Sequence, residues 1–252
     1  MNESISSDLG PLLSEHRITA FRAKGNYYAG IFLVVAGVLG IIIGFFISRS
    51  DPSILPICGG ISLLIALGGG YSIWQSRSEQ DLAIRAFRDG LTYTHKGKTE
   101  AMRWDEMSQV TMSLINNKNV RSIFYNYVLR SEDGRKITFN YNDKAMQNIQ
   151  QLSDTIQREI TNRQLPKAIA AYNAGNTVTF GSLTVSKNGI SNGKETIPWH
   201  DVDEVKLQQG ALTIRKKDKW LNWSSVTVGS TPNIYVFLNM VDQIVGVNKP
   251  KV

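Results

Sequence analysis

Cysteine is almost missing from this sequence. The chain carries one, Cys58, so neither an intramolecular disulfide nor a cysteine-based metal site can form. Histidine is nearly as scarce: His16, His95 and His200 stand far apart, and none has a metal-ligand spacing to another histidine or to a thiol. His200 beside Asp201 and His95 beside Thr94 do not make a triad without geometry that sequence cannot supply. Gly97-Lys98-Thr99 copies the end of a phosphate-binding loop, but the glycine that pattern needs five residues earlier is Thr92. No catalytic residue, metal site or cofactor is therefore assigned.

Charge is missing in a more consequential way. No Asp, Glu, Lys or Arg falls between Gly25 and Ser48, or between Pro52 and Ser76. Each run exceeds the roughly 20 apolar residues that an α-helix needs to cross the hydrocarbon layer, and the interval Arg49 to Asp51 allows only a turn. The pattern predicts a transmembrane helical hairpin over 25–76. The first run is too long for a signal-peptide core and lacks a small-residue cleavage pattern. The absence of any ionisable group inside either run argues against an ion or proton pathway.

Orientation follows from the flanking cations. Arg17, Arg22 and Lys24 precede the hairpin and Arg77, Arg85 and Arg88 follow it, with Arg49 alone in the turn. This predicts a cell-membrane protein with two spans and both termini cytoplasmic. Tyr27, Tyr28, Tyr71 and Trp74 suit an aromatic belt at the same interface. Small residues four apart mark the expected helix–helix seam: Ala36, Gly40 and Gly44 on the first helix, Ser62, Ala66 and Gly70 on the second. Packing within one hairpin is the simplest use of that seam, and homo-oligomerisation through Gly40 and Gly44 is the alternative.

The polar remainder contains an internal repeat. Asp89-Gly90-Leu91, Gly97-Lys98 and Trp104-Asp105-Glu106-Met107-Ser108-Gln109-Val110 are matched by Asn188-Gly189-Ile190, Gly193-Lys194 and Trp199-His200-Asp201-Val202-Asp203-Glu204-Val205. Two copies imply two related domains, placed at 77–163 and 176–247, with a cytoplasmic segment at 1–24, a linker at 164–175 and a tail at 248–252. In the first copy, β-branched and aromatic runs at 82–87, 91–94, 110–114, 124–130 and 137–141 read as strands. Met146, Ile149, Leu152, Ile156 and Ile160 then recur at helical spacing, with a start expected at Asn142-Asp143. In the second copy, strands are expected at 177–186 with a bulge at Gly181, at 205–207, 212–215 and 225–228. Pro232 opens a helix with an apolar face of Ile234, Phe237, Leu238, Val241, Ile244 and Val245. Trp104 and Trp199 hold equivalent positions, as core anchors would.

A small antiparallel sheet closed by one C-terminal amphipathic helix, with a Trp before a short turn, resembles the pleckstrin-homology-like superfold in its bacterial form. The chain from about Leu9 onward is similar to an uncharacterised family of predicted membrane proteins that carry such domains, most clearly at Gly181 to Ile190 and at Ser230-Thr231-Pro232-Asn233. The resemblance implies an α+β architecture, a transmembrane hairpin followed by two tandem domains, and membrane residence. It brings no catalytic residues.

One local feature suggests contact. Arg215, Lys216, Lys217 and Lys219 are followed at once by Trp220, Leu221 and Trp223. Cations beside indoles suit anionic lipid headgroups, whereas a solvated hairpin turn with Trp223 packed inward is the plainer reading. The 28 Lys+Arg against 21 Asp+Glu give a modest excess, interleaved with acids outside that run, which argues against a nucleic-acid partner. The expectation is a non-catalytic, membrane-anchored interaction or assembly module whose partners are membrane lipids and an unidentified protein. Anionic-lipid recognition by the basic loop and a membrane enzyme of unknown reaction are the alternatives.

Overall fold

The computed structural model describes residues 8–49, 54–117, 121–208 and 210–246; the expected tail at 248–252 lies outside them. Over these residues the protein is α+β, with two long apolar helices near its N-terminus, four antiparallel sheets and a C-terminal helix.

A strand, β1 (Leu12–Arg17), precedes the helices α1 (Ala20–Ile47) and α2 (Ile54–Ser78). The spans Arg22–Ile47 and Pro56–Ser78 are long and apolar enough to cross a membrane. Thr19 caps α1, its hydroxyl accepting from the Arg22 amide at 3.4 Å. The two helices meet along small residues seven apart, Gly30, Gly37 and Gly44 against Ser62, Gly69 and Ser76, all buried. A Cβ on Gly37 would lie 2.6 Å from the Ser62 carbonyl, and one on Gly69 2.6 Å from the Gly30 carbonyl, so backbone touches backbone. A seven-residue repeat keeps such a seam facing its partner along the helix. Ser76 and Ser72 add hydroxyl hydrogen bonds to the carbonyls of Ala23 and Asn26, at 2.7 and 3.1 Å. The outward faces carry exposed apolar residues such as Phe32, Leu39, Phe46, Leu64 and Leu67.

The chain then forms β2 (Ala83–Phe87), β3 (Gly90–His95) and β4 (Lys98–Arg103), followed by β5 (Met107–Asn117), β6 (Ser122–Ser131) and β7 (Lys136–Asn142). The first sheet has the order β1-β2-β3-β4 and the second β5-β6-β7. Strand β1 pairs with β2 across the hairpin, Leu12 opposite Phe87 and Arg17 opposite Ala83. Residues expected to stand apart as an N-terminal segment thus complete the first sheet, and the helical hairpin is an insertion in the β1–β2 connection.

Helix α3 (Ile149–Asn173) closes this unit through Ile149, Leu152, Ile156 and Ile160, all buried. It starts later than the Asn142-Asp143 expected, because Asn142 and Asp143 form a turn: the Asn142 side chain accepts from the Ala145 amide at 2.7 Å. It also continues through Asn173, across most of the stretch 164–175 expected as a linker, and Gly175 at φ 84° lets the chain turn away.

The second unit repeats the order. Strands β8 (Val178–Phe180), β9 (Leu183–Ser186), β10 (Gly189–Ser191) and β11 (Thr196–Ile197) make one sheet, and β12 (Val202–Gln208), β13 (Ala211–Lys216) and β14 (Asn222–Thr227) another, before helix α4 (Ile234–Val245). Gly181, read as a bulge, instead begins the two-residue turn between β8 and β9, with Phe180 opposite Leu183. The buried face of α4 includes Val236 and Met240 besides Ile234, Phe237 and Val241.

One continuous apolar core passes through both units. Its joint is made by α3, whose Tyr172 meets the Trp199 ring edge-on at 6.4 Å, and by Asn233. The Asn233 amide donates to the Val110 carbonyl at 2.8 Å, its side-chain oxygen accepts from the Val110 amide at 2.8 Å, and its side-chain nitrogen donates to the Ser108 carbonyl at 2.8 Å. A single residue of the second unit therefore satisfies the free edge of β5 much as a neighbouring strand would.

Candidate functional site

The repeat positions singled out in the sequence are structural. The indole N–H of Trp104 donates to the Phe87 carbonyl at 3.0 Å, and that of Trp199 to the Ser186 carbonyl at 2.9 Å. Phe87 ends β2 and Ser186 ends β9, so the two bonds are the same bond made twice. Trp104 is fully buried, whereas Trp199 is partly buried. Gly90 and Gly189 also correspond: a Cβ on Gly90 would strike the Met102 carbonyl, and one on Gly189 the Ile197 carbonyl. Each repeat thus needs glycine where its third strand crosses close to the fourth.

The basic cluster separates into two parts. Arg215 pairs with Asp203 at 2.8 Å and with Glu204 at 3.1 Å, and Lys216 pairs with Asp201 at 3.1 Å, so their charge is matched on the sheet. Lys217 and Lys219 lie beyond, exposed on the β13–β14 connection, with no ion pair to either among the described residues. Asp218 between them adopts φ 58°. Trp220 is 87% exposed and Leu221 60%, while the Trp223 indole N–H turns back to the Glu195 carboxylate at 3.1 Å. The loop therefore presents two free cations, one indole and one leucine.

Of the expected helix seam, Gly40 faces the Ser62 side chain, Gly44 lies against Cys58, and Ala66 lies beside Gly37. Gly70 has open space where a Cβ would be. Gly30, Gly37 and Gly69, where backbone comes nearest to backbone, escape a four-residue spacing rule because the contact repeats every seven.

The base of the hairpin is polar and tightly connected. Thr19 donates through its amide to the Ala145 carbonyl at 2.9 Å and through its hydroxyl to the Lys144 carbonyl at 2.6 Å. Arg22 pairs with Glu79 at 3.4 Å. Asp81 accepts from the backbone amides of Lys96 and Gly97 at the β3–β4 turn, and the Lys96 ammonium lies 6.0 Å from the centre of the Trp74 ring. His16 has no exposed surface; its Nδ1 contacts the Gln147 carbonyl at 3.1 Å and its Nε2 the Ser14 hydroxyl at 2.9 Å. Those partners suit a neutral ring that donates from Nδ1, and burial pushes its pKa below the ordinary value. Sequence reading passed over this residue, since a histidine in a polar strand gives no sign that it is enclosed.

Other perturbed groups lie in the core or on a surface turn. Burial pushes the Tyr127 hydroxyl up to about 12, and it is hydrogen-bonded to Ser153 at 2.7 Å and to the Gln157 side chain at 3.1 Å. Asp133 is held down at about 2 by hydrogen bonds from Ser131 and from the Arg135 backbone and side chain. A groove of about 600 Å³ runs beside the start of α3, bordered by Tyr125, Asp143, Asn148 and Asp154. Among the described residues, no three His, Cys, Asp or Glu side chains gather as a metal site would require.

No curated protein and no solved structure matches the chain. A model of a family of unknown function, DUF6585, matches residues 2–250, which takes in β1, the helical hairpin and both sheet-and-helix units. The chain belongs to that family, DUF6585.

Proposed function

We propose that this protein is a bilayer-anchored interaction module in which α1 and α2 span the membrane and hold two pleckstrin-homology-like units against its cytoplasmic face. The observation that carries this reading is the insertion of two membrane-length helices into the β1–β2 turn, with Arg17 paired to Ala83 at its mouth. An anchor rooted in two adjacent strands fixes the first unit to the bilayer, and α3 and Asn233 extend that fixation to the second. The pleckstrin-homology-like assignment draws support from the order of four strands, three strands and a closing helix, found twice. Arg17, Arg22, Lys24 and Arg77 at the base, against Arg49 alone at the far turn, favour the cytoplasmic side. The role is to hold a protein partner near the membrane, with no chemistry of its own.

The test is retention and sidedness. The full chain should stay with membranes through alkaline carbonate extraction, and its sheet units should be digested by protease in inverted vesicles but not in right-side-out ones. Release by carbonate, or the opposite protection, would overturn the reading.

The β13–β14 loop favours a second reading, direct contact with anionic lipid by Lys217, Lys219 and Trp220. A variant with residues 18–82 replaced by Gly-Ser removes the anchor and isolates this contact. Sedimentation with vesicles that needs anionic lipid, weakens with salt and is lost in Lys217→Glu/Lys219→Glu supports it; equal recovery with neutral vesicles or none argues for a protein partner alone.

A further inference from the structure

The first unit has a second apolar projection, and its place in the fold identifies what covers it. Strands β5 and β6 extend past the core, where Leu114 is 42% and Ile115 55% exposed. Adjacent strand residues point to opposite faces, so the hairpin offers an apolar side chain on each face, an arrangement that one packed neighbour cannot cover. Leu114 stands opposite Tyr125 and Ile115 opposite Phe124, and Arg121, exposed at φ 46°, flanks them.

The projection lies at the end of the unit from which α1 departs. Thr19, the cap of α1, is bonded to Lys144 and Ala145, and Ile18 bridges to Met146. One residue before Lys144, Asp143 accepts from the Ser122 hydroxyl, and its amide donates to the Ile123 carbonyl at 3.2 Å. Ser122 and Ile123 open β6 directly beside the hairpin tip. The β2–β3, β4–β5 and β6–β7 connections gather at the other end: the Trp104 amide donates to the Asp89 carbonyl at 3.0 Å, and Arg135 of the β6–β7 turn pairs with Glu106 at 2.7 Å.

The second unit gives the contrast. Its equivalent strands are 7 and 6 residues long, against 11 and 10 in the first, and among the described residues no membrane-length helix leaves beside them. The extension is thus confined to the unit that carries the membrane-length helices. From these placements we infer that the projecting ends of β5 and β6 rest in the headgroup layer of the same bilayer that α1 and α2 cross, with Leu114 and Ile115 at the boundary of the acyl chains and Arg121 among the phosphates. The inference rests on the membrane-spanning reading above. It supplies that reading with a third point of contact, which fixes how the first unit tilts on the membrane, since an apolar surface beside a bilayer is covered most readily by the bilayer.

The full chain with Cys58→Ala accepts single cysteines, each labelled with an environment-sensitive fluorophore and reconstituted in phosphatidylcholine–phosphatidylglycerol vesicles. Spin-labelled lipids serve as shallow or deep quenchers. Labels at Leu114→Cys and Ile115→Cys should be quenched by the shallow lipid, a label at Val38→Cys in α1 by the deep lipid, and one at Asp133→Cys in the β6–β7 turn by neither. Quenching at 38 with positions 114 and 115 behaving like 133 overturns the inference and leaves the membrane reading standing. An unquenched label at 38 overturns the membrane reading and the inference with it. A blue shift at 114 and 115 without lipid quenching means that a protein surface covers the tip, and overturns the bilayer as its occupant.

Discussion

In the second unit β8 returns to β9 through Gly181 and Ser182, whereas in the first unit the same turn has opened to admit residues 18–82 and both long helices. The difference shows where a sheet tolerates a large insertion. The ends of paired strands lie about 5 Å apart, and two packed antiparallel helices return to within about 8–10 Å of their start. Little adjustment is needed to join them, and closure entropy rises only slowly with the length of what is inserted.

The strongest way to break this comparison is to make the first turn like the second. Replacing residues 18–82 with Gly-Ser should give a protein that is recovered in the soluble fraction with cooperative thermal unfolding. A chain beginning at Arg77 should lose that cooperativity and aggregate, since it lacks β1 and leaves the β2 edge unpaired. Equal behaviour of the two variants, read by sedimentation and circular dichroism, would show that β1 does not belong to the sheet.

The paired tryptophans give the next largest effect. Trp104→Ala should cost about 3–5 kcal/mol of unfolding free energy, as expected for a fully buried aromatic. Trp199→Ala, partly exposed but making the same hydrogen bond, should cost about 1–3 kcal/mol. Denaturant titration of the soluble variant measures both, and equal losses would mean that the shared bond matters more than burial.

Asn148 and Asn233 sharpen the comparison further. Each precedes the closing helix of its unit in the same left-handed conformation, at φ 50° and 53°. Asn233 bridges to β5, while Asn148 is exposed beside a groove. Glycine tolerates that backbone, so substitution isolates the side chain. Asn233→Gly should cost about 2 kcal/mol through the unmatched Val110 amide and Ser108 carbonyl, and should speed proteolysis within α3. Asn148→Gly should change stability by less than about 0.5 kcal/mol.

The smallest effect concerns pH. His16 is buried with its pKa lowered by desolvation, so above its ordinary value near 6.5 the ring is neutral in both states and nothing is lost. As pH falls from there through the lowered folded pKa, the unfolded chain takes up the proton first and stability declines. Melting temperatures of the full chain should fall over this window, and His16→Gln should flatten that fall. A profile that is unchanged in the variant would assign the dependence elsewhere.

The interior of each unit was legible in the sequence because Leu91, Phe139, Leu212 and Ile214 lie in runs whose alternation or apolarity survives burial. The edges were not. Strand β1 reads Leu12-Leu13-Ser14-Glu15-His16-Arg17 with both leucines exposed, and β4 carries Lys98, Glu100 and Arg103, so neither shows a clean period of two. Both are sheet margins, where one side of the strand meets solvent and polar residues are tolerated. The membrane-length runs and the repeat around Trp104 and Trp199 were plain. That the first lies inside a turn of the second was not, since strand pairing across 65 intervening residues, 18–82, leaves no local trace. At the basic loop, sequence supplied four cations but could not show that Asp203 and Glu204 on the neighbouring β12, with Asp201 in the turn before it, match two of them.

The interrupted β1–β2 turn also sets an order of assembly. β1 is synthesised before the helices and β2 after them, so on the membrane-spanning reading proposed above the first sheet would close only once the hairpin had threaded into the bilayer and returned. If α2 failed to come back, β1 and β2 would be held on opposite sides of the membrane. On that same reading, closure of the first sheet would act as a built-in check on insertion, because a wrongly threaded chain is left with the β2 edge open.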